Sequence, residues 1–145
     1  MSFLNSLKIA GSALTAHRFR IDTVAQNLAN INTTRTEDGT PYARKLVVLQ
    51  ERNASFANVL NKARKYRDSN GGVEVKAVIA SDEPFIPVYD PNHPDANAEG
   101  YVMMPNVNTT EEQIDLMAAS RAYEANLTAL NVVKTMAMKA LEIGK

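Results

Sequence analysis

Few side chains in this 145-residue chain are equipped for chemistry. His93 lies in Asp90-Pro-Asn-His93-Pro-Asp95, where two carboxylates flank an imidazole. Such a trio can hold a divalent metal. Its spacing, however, matches neither a zinc site nor a facial triad, and the prolines hold the backbone extended, so a turn accounts for the same residues. His17 is either a pH-responsive contact or a polar residue that sets helix register. No nucleophile stands beside a base, and no glycine-rich loop offers to cradle a phosphate. Cysteine is absent, which removes disulfides and thiolate metal sites but leaves the compartment open. Met103, Met104, Met117, Met136 and Met138 read as pliable packing. The residue chemistry therefore assigns no catalytic, cofactor-binding or metal-ligating residue. It describes a binding or structural protein rather than an enzyme. A site at Asp90, His93 and Asp95 survives only as a minor reading, in which His93→Ala abolishes an activity without harming assembly.

The elements that position everything else are at the two ends. From Asn108 to Lys145 the pattern predicts one long helix without proline. Thr109 and Glu112 have the spacing of a capping box. Glu111, Glu112 and Asp115 suit the positive end of the helix dipole, Lys139 and Lys145 its negative end. At 1.5 Å per residue this helix runs roughly 50 Å, too long for the core of so small a protein. Leu116, Ser120, Tyr123, Leu127, Leu130, Lys134, Ala137 and Leu141 alternate spacings of four and three, a coiled-coil seam with polar flaws at Ser120 and Lys134. Ala119, Val133 and Ala140 widen it. At the other end Phe3, Ala10, His17, Val24 and Ile31 recur every seven residues, with Leu7, Leu14, Ile21 and Leu28 interleaved. This predicts a second helix over about Ser2 to Asn32, failing at the Asn- and Thr-rich run 30–34.

Between the arms the chain changes character. Asp38-Gly39 signals a turn and Tyr42–Gln50 reads as a strand. Ser55–Arg64 is a short helix or an irregular connection, and Val73–Val78 alternates as an exposed strand does. Pro84, Pro87, Pro91, Pro94 and Pro105 then impose extended chain and turns in place of central sheet. Tyr101–Met104 is at most a short strand. The predicted class is α+β: long terminal helices pairing as a coiled-coil-like unit (1–34 and 109–145) around a small β-rich middle (35–108) with a thin core.

Charge excludes further classes. Sixteen basic residues balance sixteen acidic ones. The N-terminal arm carries Lys8, Arg18 and Arg20 against Asp22, 3 − 1 = +2. No segment has the basic excess that phosphate backbones require, so nucleic acid is not an expected partner. Lys62, Arg64, Lys65 and Arg67 form the one basic knot, read as a solvated face. No apolar run is long enough for membrane insertion, and no cleaved secretory signal is expected.

Three stretches carry a resemblance. Val24-Ala-Gln-Asn27-Leu-Ala-Asn30-Ile-Asn32-Thr33-Thr34 resembles the motif closing the N-terminal helix of bacterial flagellar rod and hook proteins. Arg121-Ala-Tyr123-Glu124-Ala-Asn126 is similar to the motif in their C-terminal helix. Val88–Asp95 with Glu99–Asn108 resembles the FlgC-type proximal rod branch of that family. The likeness runs nearly end to end. It departs after Asn32, where Thr33-Thr34-Arg35-Thr36 precedes Gly39 in place of an earlier glycine turn. The resemblance implies a structural subunit of a hollow helical tube in the cell envelope, the flagellar drive shaft. Its partners would be further copies and other rod proteins. Export would run through the flagellar type III apparatus without a cleaved signal, and Phe3-x-x-x-Leu7 resembles its short apolar signal. The expected assembly surface is the two seams: Phe3, Leu7, Leu14, Ile21, Val24, Leu28 and Ile31 on one helix, Leu116, Tyr123, Leu127, Leu130, Ala137 and Leu141 on the other. Asn27, Asn30, Asn32 and Asn126 are expected to cap helices, to bond between subunits, or both. The competing reading is a self-contained helical hairpin acting as a dimeric adaptor, with the same seams satisfied within one subunit or one pair.

Overall fold

The N-terminal helix ends where its asparagines begin to bond its own carbonyls. In a computed structural model, which describes residues 3–52 and 71–143, α1 spans Phe3–Ala29. The Asn30 N–H is shared between the carbonyls of Gln26 (3.1 Å) and Asn27 (3.2 Å), and its side-chain amide donates to Gln26 O at 2.9 Å. Thr33 donates its N–H to Asn30 O (3.0 Å) and its hydroxyl to Asn30 Oδ1 (3.2 Å). Such tightened turns consume the orphan carbonyls of a helix end. The chain then turns through Gly39, which has a φ of 75°.

Among the described residues four strands follow: β1 (Lys45–Glu51), β2 (Val73–Ala80), β3 (Ile86–Tyr89) and β4 (Tyr101–Met104). They form two two-stranded sheets, β1 with β2 and β3 with β4. β1 begins three residues later than the sequence predicts, because Tyr42 and Arg44 give their backbone N–H groups to Thr33 O and Asn106 Oδ1. The proline-rich stretch is extended chain and turns as expected, and one extended piece of it pairs as a strand of a two-stranded sheet. β3 pairs antiparallel with β4 in the register Ile86–Met104, Pro87–Met103, Val88–Val102, Tyr89–Tyr101. Asp90 N–H bonds Gly100 O at 2.9 Å, so by alternation Pro87 falls at a non-bonded pair, where a missing N–H costs the ladder nothing. The predicted element at 55–64 lies outside the described residues.

The last helix, α2, spans Thr109–Ile143. Its cap is Asn108, whose Oδ1 accepts the Thr110 N–H at 3.0 Å while its carbonyl accepts the Glu112 N–H at 3.0 Å. The expected Thr109–Glu112 capping box does not form, because the Glu112 carboxylate is engaged elsewhere.

The chain condenses into two compact units. The first takes its described residues from 3–19, 49–52, 71–76 and 119–143. Small residues fill its buried positions: Ala10, Ser12, Ala13, Ala16 and Ala119. Ser12 is a seat for the chain entering β2. Its hydroxyl donates to Ile9 O (2.8 Å) and accepts the Val73 N–H (3.0 Å). Gly72, at φ 140°, passes so near that a Cβ there would stand 2.7 Å from Ser12 Oγ. The second unit comprises 20–48 and 77–118, with Val24, Tyr42, Val102, Pro105 and Val107 buried. Both long helices contribute to each unit, and the class is α+β as the periodicities predict.

Candidate assembly surface and its polar anchor

Within the second unit Asn27 is the hub. It is 1 % exposed and its amide uses every bonding position. Its Nδ2 donates to Lys45 O (2.9 Å) and Glu112 Oε2 (2.9 Å), and its Oδ1 accepts the Tyr42 hydroxyl (2.9 Å) and the Lys45 N–H (2.9 Å). One side chain thereby joins the end of α1, the start of β1 and the first turn of α2. Glu112, equally buried, receives Arg44 Nε on Oε1 at 2.6 Å. Arg44 also reaches Glu111 (3.1 Å) and stands 3.8 Å from Asp115, which Arg20 holds from α1 at 3.0 Å. Asn106 completes the joint by donating to Glu83 O at 2.8 Å while accepting the Arg44 N–H. A cavity of about 120 Å³ lies beside the hub, lined by Arg20, Thr23, Val24, Asn27, Glu112 and Asp115 among others.

The electrostatics follow from burial. A carboxylate out of water is tolerable only when paired and fully bonded, and Glu112 has both a guanidinium and an amide. Burial alone pulls the Arg44 pKa down; the hydrogen bond and charge of Glu112, then the charges of Glu111 and Asp115, outweigh it and raise the pKa. Burial, and secondarily the Glu112 charge, push the Tyr42 pKa above its ordinary value. This arrangement binds the chain to itself.

The expected seams are distributed differently. On α1, Val24 is buried, while Leu7, Leu14, Ile21 and Leu28 are half-buried beside the deeper line of Ala10, Ala13, Ala16, Thr23 and Asn27. Ile31 is half-buried in the turn after the helix. Phe3 begins α1, and its side chain lies outside the described residues. On α2, Leu116, Tyr123, Leu130 and Ala137 are half-buried, and Leu127 and Leu141 are exposed at 41 % and 75 %. The least exposed line runs Glu112, Leu116, Ala119, Tyr123, Asn126, Leu130, Val133, Ala137. It shares every second position with the predicted seam and replaces Ser120, Leu127 and Lys134 by Ala119, Asn126 and Val133. The polar flaws at Ser120 and Lys134 were the available signal of that offset. Val132, Met136 and Met138 join Leu127 and Leu141 as exposed apolar residues on the same helix.

The motif residues act locally. Asn126 donates to Ala122 O at 2.7 Å, one turn back, and Arg121 is exposed. Asn32 is exposed, and Thr33 bonds Asn30 as described. In the Asp90–Asp95 turn, His93 Nδ1 accepts the Asp95 N–H at 3.1 Å, and the Asp95 carboxylate takes the Thr34 hydroxyl (2.8 Å) and pairs with Arg35. Sequence reasoning missed Arg44, Tyr42 and Asn106.

Two long terminal helices and a small double-sheet middle are the arrangement expected of an axial protein, and comparison with known families agrees at both ends. A family model described as flagella basal body rod protein matches residues 7–35, and one described as flagellar basal body rod FlgEFG protein C-terminal matches 98–143. The flagellar basal-body rod protein FlgC of Bacillus subtilis (strain 168) is 49 % identical over 150 residues, covering all of both chains. That of Escherichia coli O6:H1 is 44 % identical over 145 residues, again covering both completely. That of Borreliella burgdorferi is 41 % identical over 152 residues, covering 99 % of this chain and 98 % of its own. The chain belongs to the FlgC family of flagellar basal-body rod proteins, a structural and non-enzymatic family. No helix among the described residues is long and apolar enough to cross a membrane.

Proposed function

We propose that the chain is a structural subunit of the flagellar basal-body rod, and that it assembles with its own copies and other rod proteins through the outward apolar faces of its terminal helices. The observation that carries this is the exposure of Leu127, Val132, Met136, Met138 and Leu141 along one helix of a chain whose relatives are named as rod proteins. Water-exposed apolar surface of this extent is a cost until a partner covers it. Contacts between unlike patches that do not close into a ring build a helical tube, which here transmits torque. The half-buried residues of the α1 seam, Leu7, Leu14, Ile21 and Leu28, offer further apolar area to a partner. Three assembly domains fit this reading: an N-terminal axial helix (1–34), a small β-rich middle (35–108) and a C-terminal axial helix (109–145). Delivery through the flagellar type III export apparatus to the periplasmic rod belongs to it as well. The dimeric adaptor is not favoured by the relatives.

The test is the amount of full-length chain in isolated basal bodies when Leu127→Asp replaces the native residue. Burying an unpaired carboxylate in a subunit contact costs several kcal/mol, and recovery is expected to fall at least about tenfold. Native-level incorporation of the variant counts against the proposed surface. A discrete dimer that does not grow with concentration favours the adaptor.

A further inference from the structure

The chain guards its strand edges at several points and leaves one stretch open. On β3 the outer side carries Pro87, which has no N–H to offer a further strand. On β4 Tyr101 gives its N–H to Asn97 Oδ1 and its C=O takes the Asn97 N–H, both at 2.9 Å. On β1 Asn27 occupies the N–H and the C=O of Lys45. At the start of β2 Ser12 takes the Val73 N–H at 3.0 Å. The far end of β2 has no such guard, and β2 pairs with β1 alone among the described residues. Ser81 directs its N–H to Arg44 O at 2.7 Å, so by alternation the backbone groups of Ala80 point away from that partner. Among the described residues no turn, loop or side-chain bond reaches them. Val78 and Ile79 are neighbours on opposite faces and both are open, at 42 % and 47 %, and Ala80 is exposed as well. An apolar strand edge with free backbone groups is a template for another strand.

The charges flanking this edge say what covers it. A strand turns its backbone groups to a given edge at every second residue, so two copies of one edge pair antiparallel only where outward groups meet outward groups. Registers with Val78, Ile79 or Ala80 facing its own counterpart meet that condition. With Val78 on the axis Glu74 opposes Asp82, two like charges. With Ala80 on the axis Lys76 opposes Pro84. With Ile79 on the axis Lys76 of each copy opposes Asp82 of the other, giving two pairs of opposite charge, and Val78 stands beside Ala80 on either side of the axis. Lys76 and Asp82 are exposed, and neither makes an ion pair among the described residues. We infer that β2 pairs antiparallel with β2 of a second copy of this chain, about a two-fold axis at Ile79, joining two two-stranded sheets into one of four strands. Two strands alone are marginal in water, and four are not. The contact is small and edge to edge, and therefore weak. It closes on two copies and does not propagate. It goes beyond the rod reading, whose contacts join unlike patches, and describes the chain before it enters the tube.

The chain has no cysteine, so a single introduced thiol reports a single contact. Ile79 is the residue that meets itself, with about 4.5–5.5 Å between the two Cα atoms, within reach of a disulfide. Purified full-length Ile79→Cys protein, dilute and mildly oxidised, is expected to form a linked dimer at least about tenfold faster than Ala98→Cys, which is exposed between β3 and β4. Adding Lys76→Asp to Ile79→Cys sets like charges across both pairs and is expected to slow linkage at least about fivefold, and Asp82→Lys in the same chain to restore it. Adding Leu127→Asp is expected to leave the rate unchanged, because the helical seams take no part. Ile79→Cys protein that links no faster than Ala98→Cys overturns the inference, as does a rate indifferent to Lys76→Asp, and neither result touches the rod reading. Loss of linkage with Leu127→Asp also overturns it and assigns the pair to the helices, as the adaptor requires. Failure of the rod reading shows separately, as basal bodies that lack the chain.

Discussion

The two units differ in what they bury, although they are built on neighbouring stretches of the same helices. In the unit of residues 20–48 and 77–118, polar side chains are buried and satisfied: Asn27 makes four hydrogen bonds and Glu112 is held by both Asn27 and Arg44. In the other unit the buried positions are alanines and a serine, and large apolar side chains remain in water, Met136 at 66 % and Leu141 at 75 %. The first pattern fixes a single arrangement, because a half-made polar network costs more than it returns. The second shows no such network among the described residues, and its exposed helix residues, like Ile114 and Met117 of the unit that holds Asn27, are surface whose burial requires another molecule. A rod subunit needs both, one part that keeps its shape and one that completes itself on its neighbours. The contrast predicts where substitutions act on the isolated chain and where they act only on assembly.

The largest effect on the isolated chain is expected from Arg44→Met. It strands Glu112, 1 % exposed, without its cation, and breaking one side of a buried pair costs about 3–5 kcal/mol. Urea unfolding measures this, and adding Glu112→Leu is expected to recover a substantial part. An Arg44→Met protein as stable as the parent means that water reaches Glu112 and that the anchor is no anchor. Asn27→Ala follows, at about 2–4 kcal/mol, since it orphans the Lys45 N–H and C=O and the Tyr42 hydroxyl at once. Asn27→Asp sharpens the point: it keeps the shape but sets a second carboxylate against Glu112, and its loss is expected to exceed that of Ala at neutral pH and to shrink in acid.

How much of this was legible follows from which interactions are local. Both helices were, because a heptad is written within the helix that it describes, and so was the failure of α1 at Asn30. The cap of α2 was displaced by one residue, from Thr109 to Asn108, since both residues make good caps and the choice depended on Glu112 being needed by Arg44. Asn27 belonged to a recognisable motif, but its partners lie 15, 18 and 85 residues away, and no period reports such pairs. Pro87 argued against a central strand, and a two-stranded hairpin has room for it because one edge of each strand faces outward. The seam of α2 shows the deepest limit. Apolar periodicity reports all the burial that a helix undergoes, in the folded chain and in any assembly, and places Leu127 on the line. The chain's own packing instead favours Ala119, Asn126 and Val133.

Tyr42 offers a smaller and more selective probe. Its folded pKa lies above the ordinary 10.0, through burial first and the Glu112 charge second. A group whose folded pKa is raised contributes stability that is fully present below the unfolded value and is lost as pH rises through the folded one. The parent is therefore expected to lose stability above about pH 10 in excess of Tyr42→Phe, which at neutral pH costs about 1 kcal/mol for the lost hydrogen bond. Parallel stability–pH curves for the two proteins mean that the hydroxyl ionises as freely in the fold as outside it. In the other unit, Gly72→Ala tests the tightest approach. Its Cβ at 2.7 Å from Ser12 Oγ, at a φ of 140°, is expected to cost about 1–3 kcal/mol, of which Ser12→Ala in the same chain recovers only the steric part.

The smallest expected effect on the isolated chain is the most telling. Leu127→Asp and Met136→Asp lie on exposed positions of α2, at 41 % and 66 %. Substitutions there are expected to change monomer stability by no more than about 0.5 kcal/mol, since both positions are exposed. If the same two substitutions remove the chain from basal bodies, function and monomer stability have been separated on one helix, and its exposed apolar side chains, nine residues and therefore half a turn apart, are surface kept for partners on both sides. If instead they unfold the dilute protein, Leu127 and Met136 already support the fold, the contrast between the two units collapses, and the search for the assembly surface moves to the α1 side, where Leu14 and Leu28 stand half-covered. Urea unfolding at low protein concentration, with incorporation measured on the same variants, distinguishes the two.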